Sequence, residues 1–377
     1  MINKIKIIGF TVLVLLIGCT NSTYNSNEIK KADQTIVLPK MVEDINLLYS
    51  EICDTVKYVK LETNEECLIG SMSKIQFNDS LIYIGDFSRR KSILVFSITG
   101  SFLKKLDRMG KGPGEYLAIS DFMVDDKNKL IYVYDNLQGK HLVYDLNFNL
   151  VNEFYNKGLY ITSAVGFDNN WYIYTGYREN NPEYRFNFMI YDNKFEILDK
   201  KLPYEPIVGH RNWNHFRRIG SDMFMITSFP DKIYCYSNYL YEAYDIKLDD
   251  EDIFFDPFQY PKEKKAWDII VENNLVHIYD FDLTNNWVFL RIQKGNANYF
   301  ALHNVNTEKT MVGRHVINDL QYSLIVGIVE GLYDDHIVSY INPNFLLENF
   351  PPEFNKKYYG NINFSDNPII VLAKLKS

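Results

Sequence analysis

The side chains best suited to chemistry gather in long irregular segments. Arg89-Arg90-Lys91, the stretch from Arg178 to Arg185 and the run His210-Arg211-Asn212-Trp213-Asn214-His215 combine cations with aromatic rings, in a chain of formal net charge −8. Guanidinium forks grip carboxylates, and flat rings stack on sugar faces or on proline. Arg89, Arg90, Arg178, Arg185, Trp213 and His215 are therefore the candidate ligand-binding residues. The chemistry they imply is non-covalent. The chain order shows no Ser-His-Asp set with a nucleophile elbow and no zinc-binding helix. His210 and His215 stand on non-helical backbone, unlike the histidines of an H-E-x-x-H metal pair. No motif calls for a cofactor.

The run Gly110-Lys111-Gly112-Pro113-Gly114-Glu115-Tyr116 invites a phosphate-loop reading and fails it. A P-loop needs Gly-Lys-Ser/Thr opening a helix, and a dinucleotide fingerprint needs its third glycine at a helix start. Here the glycines alternate, Pro113 intervenes, and the strand residues Phe122-Met123-Val124 follow. The expected role is a compact turn in which Tyr116 packs inward and Glu115 bonds the loop amides.

These segments must be held by a scaffold, and the scaffold is a repeat. Six short turns recur: Asn78-Asp79, Asp126 with Asn128, Asn169-Asn170, Ser221-Asp222, Asn285-Asn286 and Asp334-Asp335. Each is followed at once by an apolar strand, such as Leu81-Ile82-Tyr83-Ile84 or Trp287-Val288-Phe289-Leu290. A third strand follows after a variable loop, and in five units a fourth. A strand-only period of this kind predicts an all-β, six-bladed propeller with four-stranded antiparallel blades. The sixth unit stops after its third strand, while Val56-Lys57-Tyr58-Val59-Lys60-Leu61 stands unassigned before the first. That N-terminal strand is expected to complete the last blade and close the ring.

The glycine run, Ile131-Tyr132-Val133-Tyr134-Asp135, Tyr58-Val59-Lys60-Leu61-Glu62-Thr63 and the terminal Asn367-Pro368-Ile369-Ile370-Val371-Leu372 carry a family resemblance. The chain resembles the six-bladed β-propeller lipoproteins of Bacteroidetes, which are distantly similar to NHL-repeat propellers. Blades three to five lack an equivalent glycine run. The resemblance implies fold and location and supplies no catalytic residues. Some six-bladed propellers of similar outline hold a divalent metal at the channel mouth and hydrolyse lactones. In a lactonase-like alternative Asp121, Asp168 and Asp280 would supply oxygen ligands, although aspartates at strand ends usually bond their own turns. A scaffold in an outer-membrane assembly is the other alternative.

In a propeller the irregular segments fall between second and third strands and between blades. The binding face is therefore expected there, with the insertion from Asn342 to Asn367 beside it. Trp213 and Trp267 are expected to bury between blades. Arg217 and Arg218, adjacent on a strand, should point to opposite faces, so that at most one meets the channel.

The N-terminus reads as a leader. Lys4 and Lys6 precede an apolar stretch that ends Leu16-Ile17-Gly18-Cys19, as in a bacterial lipobox. Residues 1–18 are the expected signal peptide, Cys19 the acylated residue, 19–50 a flexible tether and 51–377 the propeller. The residues after Cys19 predict an outer-membrane anchor on the periplasmic face rather than the cell surface. The acidic balance argues against nucleic acid. Expected partners are the membrane, through Cys19, and an unidentified small molecule, glycan, peptide or protein. Of the remaining cysteines, Cys53 and Cys67 bracket the closing strand, where an oxidising compartment would allow a disulfide.

Overall fold

The computed structural model describes residues 29–376, apart from 44, 79, 157, 178, 180, 205–214, 228–231, 250–251, 261–264, 322–323 and 326–328. Cys19 and the leader, Arg178 and Trp213 lie outside the described residues. The chain forms a ring of six antiparallel blades. The inner strands are Lys74–Phe77, Asp121–Asp125, Ser163–Phe167, Phe216–Ile219, Val276–Leu283 and Val329–Tyr333 in blades 1 to 6. The repeated turns join each inner strand to the second. Asp168, Asn169 and Asp334 there have positive φ, a backbone state that Asn and Asp tolerate better than most side chains. These turns define one face of the disc, here called the turn face. Loops between second and third strands and connections between blades define the opposite loop face.

The ring closes as expected. Cys53–Lys60 pairs antiparallel with Ile369–Leu375, register Val371↔Tyr58, as the outer strand of blade 6. Blade faces bury their apolar side chains against the next blade. One such cluster joins Val59, Leu61 and Ile370 of blade 6 to Ile82, Leu94 and Phe96 of blade 1. Cys67 packs in that cluster, whereas Cys53 packs in the one on the other side of blade 6. The two thiols are therefore free, as is Cys235, and no disulfide forms between Cys53 and Cys67.

Residues 30–48 correct the expected tether. Gln34–Leu38 runs parallel to Leu240–Leu248 as a fifth strand on blade 4, and Asn46–Leu48 runs parallel to His315–Asn318. Ile36 and Leu38 are fully buried while Thr35 and Val37 face out, the alternation of a strand with one covered face. The packed domain thus starts by Lys30, which bridges Tyr241. Trp267 is a second correction: it is 52% exposed on the short helix Ala266–Glu272 between blades 4 and 5. The expected insertion holds two helices, Pro343–Asn349 and Pro352–Tyr359, whose Leu346 and Tyr359 pack onto blade 6.

Candidate functional site: the central channel

Each inner strand presents one edge to the ring axis, so its N–H and C=O groups need partners there. Side chains of the preceding blade supply them. Gln76 Nε2 donates to Val124 O at 3.4 Å and the Val124 N–H donates to Gln76 Oε1 at 3.1 Å, copying a ladder pair. Lys74 Nζ donates to Phe122 O at 2.8 Å and pairs with Asp121 at 2.6 Å. Asp282 Oδ2 accepts the Leu332 N–H at 3.0 Å, and Arg291 donates to Val329 O at 2.7 Å. The arginines add charge pairing: Arg217 meets Asp280 at 3.1 Å and Asp282 at 3.2 Å, and Arg291 meets Glu330 at 3.1 Å. Burial raises the Asp282 and Glu330 carboxyls above the usual carboxylate range, with Arg217 and Arg291 pulling them the other way.

The turns are stitched in the same sense. Asn78 donates to Asp126 at 2.9 Å, Asn128 to Asp168 at 3.1 Å and Asn286 to Asp335 at 3.0 Å. Between blades 6 and 1, Phe77 and Tyr333 stack at 4.5 Å. Between blades 3 and 4, the Arg218 guanidinium lies 4.5 Å from the Phe167 ring centre. Arg217 and Arg218 both border the channel, contrary to expectation. Blade faces stack on each other while the strand edge lines the axis, so alternate side chains reach opposite neighbours yet share the wall.

Inside this wall lies a cavity of about 1010 Å³. It is eccentric. The inner strands of blades 1, 4 and 6 are half-buried along most of their length, whereas those of blades 2 and 3 are buried throughout. Gly166 explains the closed side: a Cβ there would fall 1.9 Å from the Tyr132 ring, so only glycine lets blade 3 close on blade 2. The cavity opens at the turn face, where Ser80, Lys129, Asn285 and Asp334 are exposed around it. Its lining ends on the other side at Lys74, Phe216 and Ser73, the last residue before the blade 1 inner strand, and takes in no other described residue of the loop-face loops.

The residues expected to bind ligand lie apart from this cavity. Arg89 and Arg90 are exposed on the loop face, with their backbone N–H groups held by buried Asp86 at 3.1 Å each. Arg185 lies in the blade 3 loop of the same face, half-buried. No described residue of either loop lines the cavity. His215 is fully buried, with its ring 3.9 Å from that of Tyr174 and Nδ1 3.0 Å from Ile226 O; it has no ligand face. The three aspartates do not converge. Asp121 and Asp280 are engaged by Lys74 and by Arg217, while Asp168 sits in an outlying turn bonded by Asn128 and Lys127. Among the described residues, no group of three or more His, Cys, Asp or Glu side chains could hold a metal ion.

The glycine run behaves as its residues predict. Tyr116 is fully buried, and Glu115 Oε2 accepts the Gly112 N–H at 2.8 Å. Glu153 takes the Gly114 N–H at 2.7 Å, so these loop amides are spent internally. Sequence reasoning missed Lys140, fully buried beneath the loop, whose Nζ bonds Gly112 O at 2.7 Å and Glu115 O at 2.9 Å and pairs with Glu153 at 3.0 Å. It also missed the channel wall, although its Lys74, Gln76 and Asp282 lie within eight residues upstream of repeat turns already recognised.

A family model described as "Domain of unknown function (DUF4934)" matches residues 34–374. The chain is similar to a crystal structure of a Bacteroides fragilis protein whose name describes it, by inference, as exported. Identity is 22%, the match covers 91% of this chain and 100% of that one, and the TM-score is 0.77. A member of the DUF4221 family from Bacteroides vulgatus matches with 12% identity, 86% and 97% coverage and a TM-score of 0.50. At these identities the likeness establishes the fold. No curated protein matches the sequence. No helix among the described residues is long and apolar enough to cross a membrane.

Proposed function

The chain belongs to the DUF4934 family, and we propose that it is an exported envelope propeller, lipid-anchored through Cys19, whose central channel binds a hydroxyl-rich ligand without covalent chemistry. The observation that carries the reading is the channel itself. Its wall charges nearly balance, five carboxylates (Asp126, Asp282, Glu330, Asp334, Asp335) against four cations (Lys74, Lys129, Arg217, Arg218). Such a wall offers no excess of positive charge to a carboxylate ligand. Its mouth offers neutral hydrogen-bonding groups on Ser80 and Asn285, beside Asn78, Thr284 and Asn286, whose side chains also bond the turns, and Tyr333, whose hydroxyl donates to Asn78 O. Amide and hydroxyl side chains both donate and accept, which suits sugar hydroxyls.

Export is supported by the leader-like residues 1–18 and by the description of the Bacteroides fragilis relative. Anchoring rests on the Leu16-Ile17-Gly18-Cys19 sequence alone. The outer membrane, on its periplasmic face, is the proposed site. The test is thermal unfolding of the chain from residue 19 with Cys19→Ser, against neutral glycans, sugar acids, peptides and divalent metals. A ligand specific to the native state raises the midpoint. Neutral glycans are expected to give the largest shift. A shift with peptides or metal alone, or none across the panel, contradicts the reading.

A further inference from the structure

The polarity of one strand fixes which way the disc faces. Gln34–Leu38 is parallel to Leu240–Leu248, with Gln34 opposite Tyr244 and Leu38 opposite Leu248. Leu240 follows the turn between the third and outer strands of blade 4, which belongs to the turn face. Lys30, bridging Tyr241, therefore lies at the turn face. The channel opens on that same face.

Most exposed large apolar side chains outside the strands lie on the other face, with Tyr239, 42% exposed in the third-to-outer turn of blade 4, on the turn face. Met109, Leu137, Phe258, Trp267, Phe345 and Phe364 are between 39% and 65% exposed, and all lie in loop-face segments. The first-to-second-strand turns opposite them are built of Asn, Asp, Ser, Thr, Gly and Lys.

We infer that the protein sits on its membrane with the channel mouth toward the bilayer and the apolar-studded loop face away from it. This rests on the reading of Cys19 as the lipid anchor. Ten residue steps separate Cys19 from Ile29, a contour of at most about 35 Å. The eight steps from Lys30 to Leu38, at about 3.3 Å each, span roughly 26 Å across the disc. Turning the loop face to the membrane would use most of the tether merely to pass the rim. The channel then receives ligand from the narrow gap beside the bilayer, and the loop face stays clear for contacts in the compartment beyond.

The test uses the lipidated chain in vesicles of phosphatidylethanolamine and phosphatidylglycerol that carry an acceptor dye on the lipid. Donor dyes are placed at Ser80→Cys and Thr307→Cys on the turn face, and at Arg90→Cys and Phe258→Cys on the loop face, one per sample. Energy transfer is expected to be stronger from Ser80 than from Arg90, and stronger from Thr307 than from Phe258. Equal or reversed transfer in either comparison, with the chain still vesicle-bound, overturns the orientation alone. A Cys19→Ser chain that stays on the vesicles, or a wild-type chain without an acyl group by mass spectrometry, overturns the anchor and the orientation with it.

Discussion

Asn367 accepts the Ile69 N–H through its Oδ1 at 2.8 Å, joining residues 298 positions apart in the chain. Its Nδ2 donates to Glu62 O at 2.7 Å and Cys67 O at 2.8 Å, and its own N–H bonds Thr63 Oγ1 at 2.8 Å. One buried amide thus seals the seam between the last blade and the first. Asn367→Leu leaves the Ile69 N–H and two carbonyls without their partner. The expected loss is about 3 kcal/mol, because an orphaned buried group costs about 1–3 kcal/mol. Urea unfolding measures it, and an unchanged midpoint would show that the seam does not limit the fold.

Gln76 tests the edge-capping of the channel wall. Gln76→Glu keeps the acceptor for the Val124 N–H and replaces the donor to Val124 O with a carboxylate oxygen. The expected cost is about 1 kcal/mol at neutral pH. It should shrink as the pH falls and the new carboxyl regains a proton to donate. A pH-independent cost would mean that the 3.4 Å contact contributes nothing.

Most of the scaffold was legible because its signals are local. Each Asn/Asp turn and the strand behind it lie within a few residues, and the glycine run needs only its own neighbours to become a turn. The N-terminal strap was not, since Gln34–Leu38 finds its partner two hundred residues away and in parallel, with no turn to announce it. The channel cavity was not legible for a related reason. Loop length and residue type pointed to Arg89, Arg90 and Arg185, but which end of the channel opens depends on how inner-strand side chains of several blades meet. Arg217 and Arg218 show the same limit, because a single strand does not reveal that its edge rather than its face will line the axis.

Gly166 is predicted to set the off-centre shape of the cavity. Gly166→Ala drives a methyl group into the Tyr132 ring, which is 2% exposed and fixed by the Asn169 N–H at 3.1 Å. Overpacking of this kind costs about 1–3 kcal/mol. Thermal unfolding should register the loss, and a silent substitution would show that blades 2 and 3 part easily.

His141 gives the fold an acid-sensitive component. Its ring is fully buried among Tyr134, Phe154, Trp171 and Phe195, and neither ring nitrogen has a hydrogen-bond partner among the described residues. Burial pushes its pKa down from 6.5 to about 3. The unfolded chain takes up the proton near pH 6.5 while the folded state refuses it, so the contribution is complete above pH 6.5 and falls as the pH drops toward 3. The slope there reaches about 1.4 kcal/mol per pH unit. His141→Phe removes that slope and two unsatisfied nitrogens, for an expected gain of about 1 kcal/mol at pH 7. Parallel pH profiles of the two proteins would contradict this.

The channel as binding site is tested most directly by titration calorimetry with the glycan that most raises the thermal midpoint, comparing Asn285→Trp with Arg90→Ala. Both positions are exposed, one at the cavity mouth and the other on the opposite face. Binding should be lost when tryptophan blocks the mouth and unchanged when Arg90 is trimmed. Loss with Arg90→Ala and retention with Asn285→Trp would place the ligand on the loop face and contradict the account.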